Sequence, residues 1–210
     1  MLSFRTALAV RNLLFAGLTG AAGGKRGCSV AEPLLELSSL TRALIYYSRM
    51  NFLRFLMLLA LSVWLGGLVF FPILAQTAFS ALPSTHLAGL VVRSSLLKLH
   101  WMAFVSGVVF LTSSLIYNRT MHGSSRAFQI THLLVLTMLA LTAISQFKII
   151  PRMDTLRASA GEIASLSTDS PIRLQFDSLH AWSTRIEQTV LVLGLIVLYS
   201  TSRRIGSSQG

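Results

Sequence analysis

The sequence predicts an all-α integral membrane protein: an antiparallel four-helix transmembrane bundle with an amphipathic helical segment between helices 3 and 4. Three observations lead there. Of 210 residues, 53% are hydrophobic and only 12% are charged, the latter roughly half the share of an ordinary soluble domain. Mean hydropathy is +0.66, far above that of a disordered chain or a polar coiled coil. Charges are absent from Phe55 to Val92, Leu99 to Asn118, Ala127 to Phe147 and Gln188 to Ser202. About 20 apolar residues in a helix cross roughly 30 Å of hydrocarbon. Transmembrane β-strands alternate and are about half that length, so they are excluded. Cys28 is the single cysteine, which leaves no internal disulfide and no cysteine-based zinc site.

Residues 1–50 read as a poorly ordered or targeting-like extension. Nothing from Met1 to Ala31 is acidic, while Arg5, Arg11, Lys25 and Arg26 are basic. A secretory signal needs an unbroken apolar core. Arg11 interrupts one candidate, and Leu13–Ala22 leads into Gly-Gly-Lys-Arg rather than a small-x-small cleavage site. Cys28 follows Lys-Arg-Gly and lacks the aliphatic residue of a lipoprotein signal. Three readings stay open: an organelle presequence, a weak fifth helix at Leu8–Ala22, or an over-extended start, with Met50-Asn51 opening the membrane domain.

That domain is expected at 51–202, with spans at 55–82, 99–118, 127–147 and 181–202 and a tail at 203–210. The first span holds Pro72, which removes a backbone donor and predicts a kink. It also holds Ser62, Gly66 and Gly67, small residues that let a neighbour approach. Lys148 to Glu187 is the one long hydrophilic stretch and carries five of the seven acids. Within it, Met153–Leu166 reads as a weak amphipathic helix and Ser165–Ser170 as a turn. Ser170-Pro171 then reads as an N-cap with proline at the first helical position, opening a helix that runs into the fourth span. Short-loop Lys and Arg divide equally between the two sides. The basic residues of the far N-terminus tip the balance toward cytoplasmic termini.

Trp64-Leu65-Gly66-Gly67-Leu68-Val69-Phe70-Phe71, followed by Ala78-Phe79 and Leu82-Pro83, resembles the first helix of the transmembrane protein 205-like family. Ile150-Pro151-Arg152-Met153 is similar to its proline-basic exit from helix 3, and Phe176, Leu179-His180 and Ser183 to its Phe-x-x-Leu-His-x-x-Ser pattern. Two turns past that His, Glu187 stands where the family pattern has Asn. The resemblance covers about Leu53 to Leu198 and implies a four-helix membrane protein of unknown molecular function.

Ionisable groups at membrane depth are costly and mark candidate sites. Asp177, His180, Thr184 and Glu187 fall within an arc of about 80° on one helix. Asp177, His180 and Glu187 are candidate ligands for a divalent metal or a proton relay, against the alternative of a solvated stripe. For a haem, His100 and His180 form the better axial pair, because His132 starts its helix on the opposite membrane face. His86 and His122 read as loop residues. Gln76-Thr77 and Ser145-Gln146 are expected at similar depth, as packing contacts or the lining of a polar cavity. Trp64, Trp101 and Trp182 fit interfacial anchoring.

No phosphate loop, His-Glu-x-x-His, Gly-x-Ser-x-Gly or cysteine pair is present in the sequence. Its basic residues flank apolar runs rather than forming one patch, which speaks against nucleic acid. The expectation is a membrane component without catalytic activity or cofactor, packing in the bilayer with itself or a membrane-protein partner. A cation, proton or haem site on His180 and Glu187 is the alternative. The expected location is a bacterial inner membrane, with an organelle membrane as the other option.

Overall fold

A computed structural model describes residues 31–122, 129–161 and 163–207. The readings made for Leu8–Ala22 and Cys28 lie outside them. The chain divides into two units, Met1–Tyr46 and Tyr47–Gly210, with the boundary inside the first helix. The elements are α1 (Ala31–Ala81), α2 (Thr85–His122), α3 (Ile130–Ile144), a π-helical turn (Ser145–Ile149), α4 (Ile150–Ala160), a single 3-10 turn (Ile163–Ser165) and α5 (Pro171–Ser207). Among the described residues there is no strand. In the first unit, residues 31–46 are helical, and Arg42 donates to the Ser38 carbonyl one turn back.

Four stretches are long and apolar enough to cross a membrane: Ser38–Ala81, Thr85–Met121, Ile130–Ala160 and Pro171–Arg203. The all-α membrane bundle read from the sequence is thus the architecture observed, and the chain is a multi-pass membrane protein. Its outward surface agrees with lipid as solvent. Val105, Ile130, Leu133, Val192 and Tyr199 all lie on it, exposed, a density of apolar side chains that water would not tolerate.

The helices overshoot the spans read from charge. α2 has 38 residues, about 57 Å at 1.5 Å per residue, against roughly 30 Å of hydrocarbon. It begins at Thr85 rather than near 99, so His86 is in its first turn and His122 is its last residue. The helix of the third span continues to Ala160 instead of ending at 147. α5 starts at Pro171 as expected, with Leu174 N–H bonding back to the Ser170 carbonyl.

Pro151 explains the π-turn. A proline has no N–H for the carbonyl four residues back, and its ring crowds that carbonyl. Just before it the helix widens by one residue, and the Ile150 N–H reaches Ser145 O. The helix thereby runs on through the proline.

The core of the second unit is built from Leu61, Trp64, Phe110, Val135, Met138, Val190 and Val197. Trp64 is 1% exposed and central to this core, which corrects its reading as an interfacial anchor; Trp101 and Trp182 are exposed as that reading requires. The small residues of α1 divide by face. A Cβ on Gly67 would meet Leu99 and Met102 of α2 at 2.6 Å, whereas one on Gly66 would meet nothing within 4 Å. Ser62, one turn before Gly66, is also exposed. On α5, a Cβ at Gly194 would collide with Leu65 of α1.

Candidate functional site

The overshooting ends of α1, α2, α4 and α5 enclose a cavity of about 490 Å³. Its place follows from charge. The uncharged runs of α2, α3 and α5 stop at Lys98, Lys148 and Glu187, so this end of the bundle sits at the edge of the hydrocarbon, where charged side chains are affordable. The walls are Leu68 to Phe79 on α1, Gly89 to Leu96 on α2, Ile150 to Arg157 on α4 and Phe176 to Leu191 on α5.

At the floor, three elements converge on one histidine. His100 of α2 is 1% exposed, and both of its ring nitrogens are engaged. Nδ1 lies 2.7 Å from Gln146 Oε1, in the π-turn, and Nε2 lies 2.7 Å from Glu187 Oε1, on α5. The donor and acceptor inventory limits how the two contacts can be made. A neutral imidazole has one N–H, yet two oxygen acceptors face this ring at contact distance. With Nδ1–H donating to Gln146 Oε1, one further proton, carried by Nε2 or by Glu187, closes the second contact. Histidine and glutamate together are then neutral overall, the form in which such a pair tolerates burial. Glu187 also belongs to the cavity wall, so its contact with His100 lies between the buried floor and the open space. Ser145 and Ser183 meet beside it at 3.4 Å.

Nearer the mouth, Arg93 of α2 holds Asp154 of α4 through two parallel hydrogen bonds, the fork geometry that suits guanidinium and carboxylate. One turn on, Arg157 stacks 5.0 Å from the Phe176 ring centroid. Among the described residues the ion pairs are Arg93–Asp154, His100–Glu187 and Arg173–Asp177. Arg157 is in none of them.

The structure therefore redistributes the residues read from sequence. Glu187 faces His100, Asp177 is exposed beside Arg173, and His180 lines the cavity as an exposed side chain. Among the described residues, no three His, Cys, Asp or Glu side chains lie close enough to hold a metal ion. Of the pair read as axial haem ligands, His100 has both ring nitrogens engaged by Gln146 and Glu187, and His180 lines the cavity. His132 serves the start of α3, where the Gln129 N–H donates to its Nδ1 at 3.3 Å. The expected meeting of Gln76-Thr77 with Ser145-Gln146 is replaced by other contacts. Gln76 is exposed, Thr77 bonds back to Ile73 O, and Gln146 turns to His100. Sequence reasoning missed the His100–Gln146 bond, Arg93–Asp154 and the stacked Arg157. Pro151 was the one local signal, since it forces the π-turn that carries Gln146, and π-turns concentrate at functional sites.

Residues 59–162 match a family model described as Domain of unknown function (DUF4149). The match takes in His100, Gln146, Arg93, Asp154 and Arg157, whereas Glu187 lies beyond it. Comparison with the curated proteins gave no match, and neither did comparison with the solved structures.

Proposed function

We propose that this multi-pass membrane protein handles a proton at the His100–Glu187 pair, with the interfacial cavity as the proton's route to the aqueous side. The observation that carries the reading is the buried imidazole held at 2.7 Å on both sides, one partner being a carboxylate in the cavity wall. Rotation of Glu187 toward the cavity separates the pair and exposes the shared proton, and its return recaptures one. This is the cation-or-proton alternative of the sequence reading with His100 in the place of His180. It requires no cofactor, no metal and no covalent chemistry by the chain.

The test is a pH gradient across vesicles containing the purified protein and a trapped pH-sensitive dye. The reading expects a protein-dependent decay that Glu187→Gln abolishes. Decay no faster than in empty vesicles, or unchanged in Glu187→Gln, refutes it.

A second reading, a structural or accessory membrane component, has its own support. Ser62 and Gly66 present a small outward face on α1, with open space at Gly66. Such faces let a second helix approach closely. A second copy or another membrane protein seated there would be lost in Gly66→Leu, which blue-native electrophoresis reads as a change of assembly size. Kinship with the transmembrane protein 205-like family is supported only by the resemblance of Trp64–Phe71, Ile150–Met153 and the Phe176–Ser183 pattern to its motifs. The basic residues of the far N-terminus support cytoplasmic termini, and a bacterial inner membrane is the placement proposed with them.

A further inference from the structure

The cavity has a polarity gradient that the proton pair does not explain. On each wall, positions can be ordered from the mouth inward by their distance along the helix from the bundle end. α4 runs from Arg157 and Asp154 to Met153 and Ile150, and α2 from Arg93 to Leu96. α1 contributes only apolar lining, from Phe79 in to Leu68, whereas α5 lines the cavity with Phe176, the polar stretch His180 to Gln188, and Leu191 at its inner end. The mouth is charged, and inward the α1, α2 and α4 walls are apolar, facing a polar stripe on α5 that ends at the His100–Glu187 pair.

The charge at the mouth has a sign. Arg93 and Asp154 neutralise one another, and Glu187 is paired with His100 on the floor. That leaves Arg157 as the charged lining side chain outside the ion pairs of the described residues, with Asp154 one turn away attracting it only at longer range. Its guanidinium is fixed over Phe176 at 5.0 Å, and it is half-buried. A guanidinium takes carboxylate or phosphate oxygens in a fork. Held at the edge of the hydrocarbon above an apolar slot, it is placed to receive an anion whose remaining part is greasy.

We infer that the cavity is a binding site for a single-chain amphiphile with an anionic head, a carboxylate or phosphate on Arg157 and an acyl chain between α1 and α5. The volume of about 490 Å³ falls within the span of roughly 300–1,000 Å³ usual for small-ligand sites. That suits one such chain and is small for a two-chain phospholipid. The inference uses the same cavity as the proton reading without depending on it, because Arg157 and not His100 carries the recognition.

The experiment uses the full chain in phosphatidylcholine nanodiscs with radiolabelled oleate as probe. Three unlabelled competitors are added: oleate, oleoyl lysophosphatidylglycerol and uncharged mono-oleoyl glycerol. Wild type is expected to bind saturably near one oleate per chain, with both anions competing and the uncharged glyceride at least tenfold weaker. The stronger anion tells whether the head is a carboxylate or a lipid phosphate. Arg157→Gln is expected to weaken binding at least tenfold, and Arg157→Lys less. Ala75→Phe, which fills the slot from α1 and leaves every charge in place, abolishes binding. Binding is read here and proton flux in the other experiment, so failure of one leaves the other standing. The inference fails if binding is not saturable, if the glyceride competes equally, or if folded Arg157→Gln and Ala75→Phe both bind as wild type does.

Discussion

Replacing Glu187 with Ala leaves His100 Nε2, in a side chain 1% exposed, facing an emptied corner of the cavity. Two scales bracket the cost. Hydrogen bonds to charged groups contribute about 1.5–3 kcal/mol in soluble proteins. Interhelical hydrogen bonds in membranes average about 0.6 kcal/mol and reach about 1.7. The carboxylate is 16% exposed and adjoins the cavity, so water can replace part of what is lost and the soluble upper bound does not apply. Geometry pulls the other way: the contact is 2.7 Å, and the ring is fixed from its far side by Gln146. A coupling energy near 1.5 kcal/mol follows, at the top of the membrane range. It is measured by a double-mutant cycle over wild type, His100→Ala, Glu187→Ala and the double variant, using denaturant unfolding in mixed micelles. A coupling below about 0.5 kcal/mol would place the pair with ordinary packing contacts and remove the physical ground for a shared proton.

Other consequences can be checked in the same preparations. Gly194→Ala forces a methyl into Leu65 and is expected to destabilise by about 1–3 kcal/mol. Gly66→Ala meets open space and should be neutral or stabilising by up to about 1 kcal/mol from helix propensity; thermal unfolding of the two variants should therefore shift in opposite senses or differ clearly in size. Single-tryptophan variants in brominated lipid should show strong quenching for Trp101 and Trp182 and little for Trp64, which is 1% exposed. Strong quenching of Trp64 would mean the core is packed otherwise. Arg93→Ala frees a carboxylate that is 30% exposed, and solvent screening limits the loss to about 1 kcal/mol, read as a small drop in unfolding midpoint that Arg93→Lys recovers only in part because the fork is gone.

Much of the architecture was legible because membrane solvation is read directly from composition. Four uncharged runs gave four crossing helices, and Ser170-Pro171 gave the start of α5. The helix ends were less legible for the same reason. Charge marks where the hydrocarbon stops, not where hydrogen bonding stops, so Arg93 and Asp154 were read outside spans whose helices in fact contain them. The candidate site divides along the same line. The polar stripe of α5 is periodic within one helix, and it located Glu187 and His180 without further information. Which of them would be used depended on the register of α2 and α3 against α5, and one helix's periodicity carries no register. Gln146 reaches His100 from a π-turn, an added residue that alters the rotation of everything beyond it; only Pro151 hinted at that. Trp64 was misread because an indole suits both a membrane interface and a core, and its neighbours decide between them.

The account rests on a proton lying between His100 and Glu187, and magic-angle-spinning NMR of ring-15N histidine in lipid bilayers observes it most directly. With the His100 signals assigned by their loss in His100→Ala, the expected spectrum has Nδ1 protonated and hydrogen-bonded. Its Nε2 resonance should be displaced by the shared proton and should move in Glu187→Gln. A bare Nδ1, or an Nε2 resonance indifferent to the residue at 187, would contradict the account.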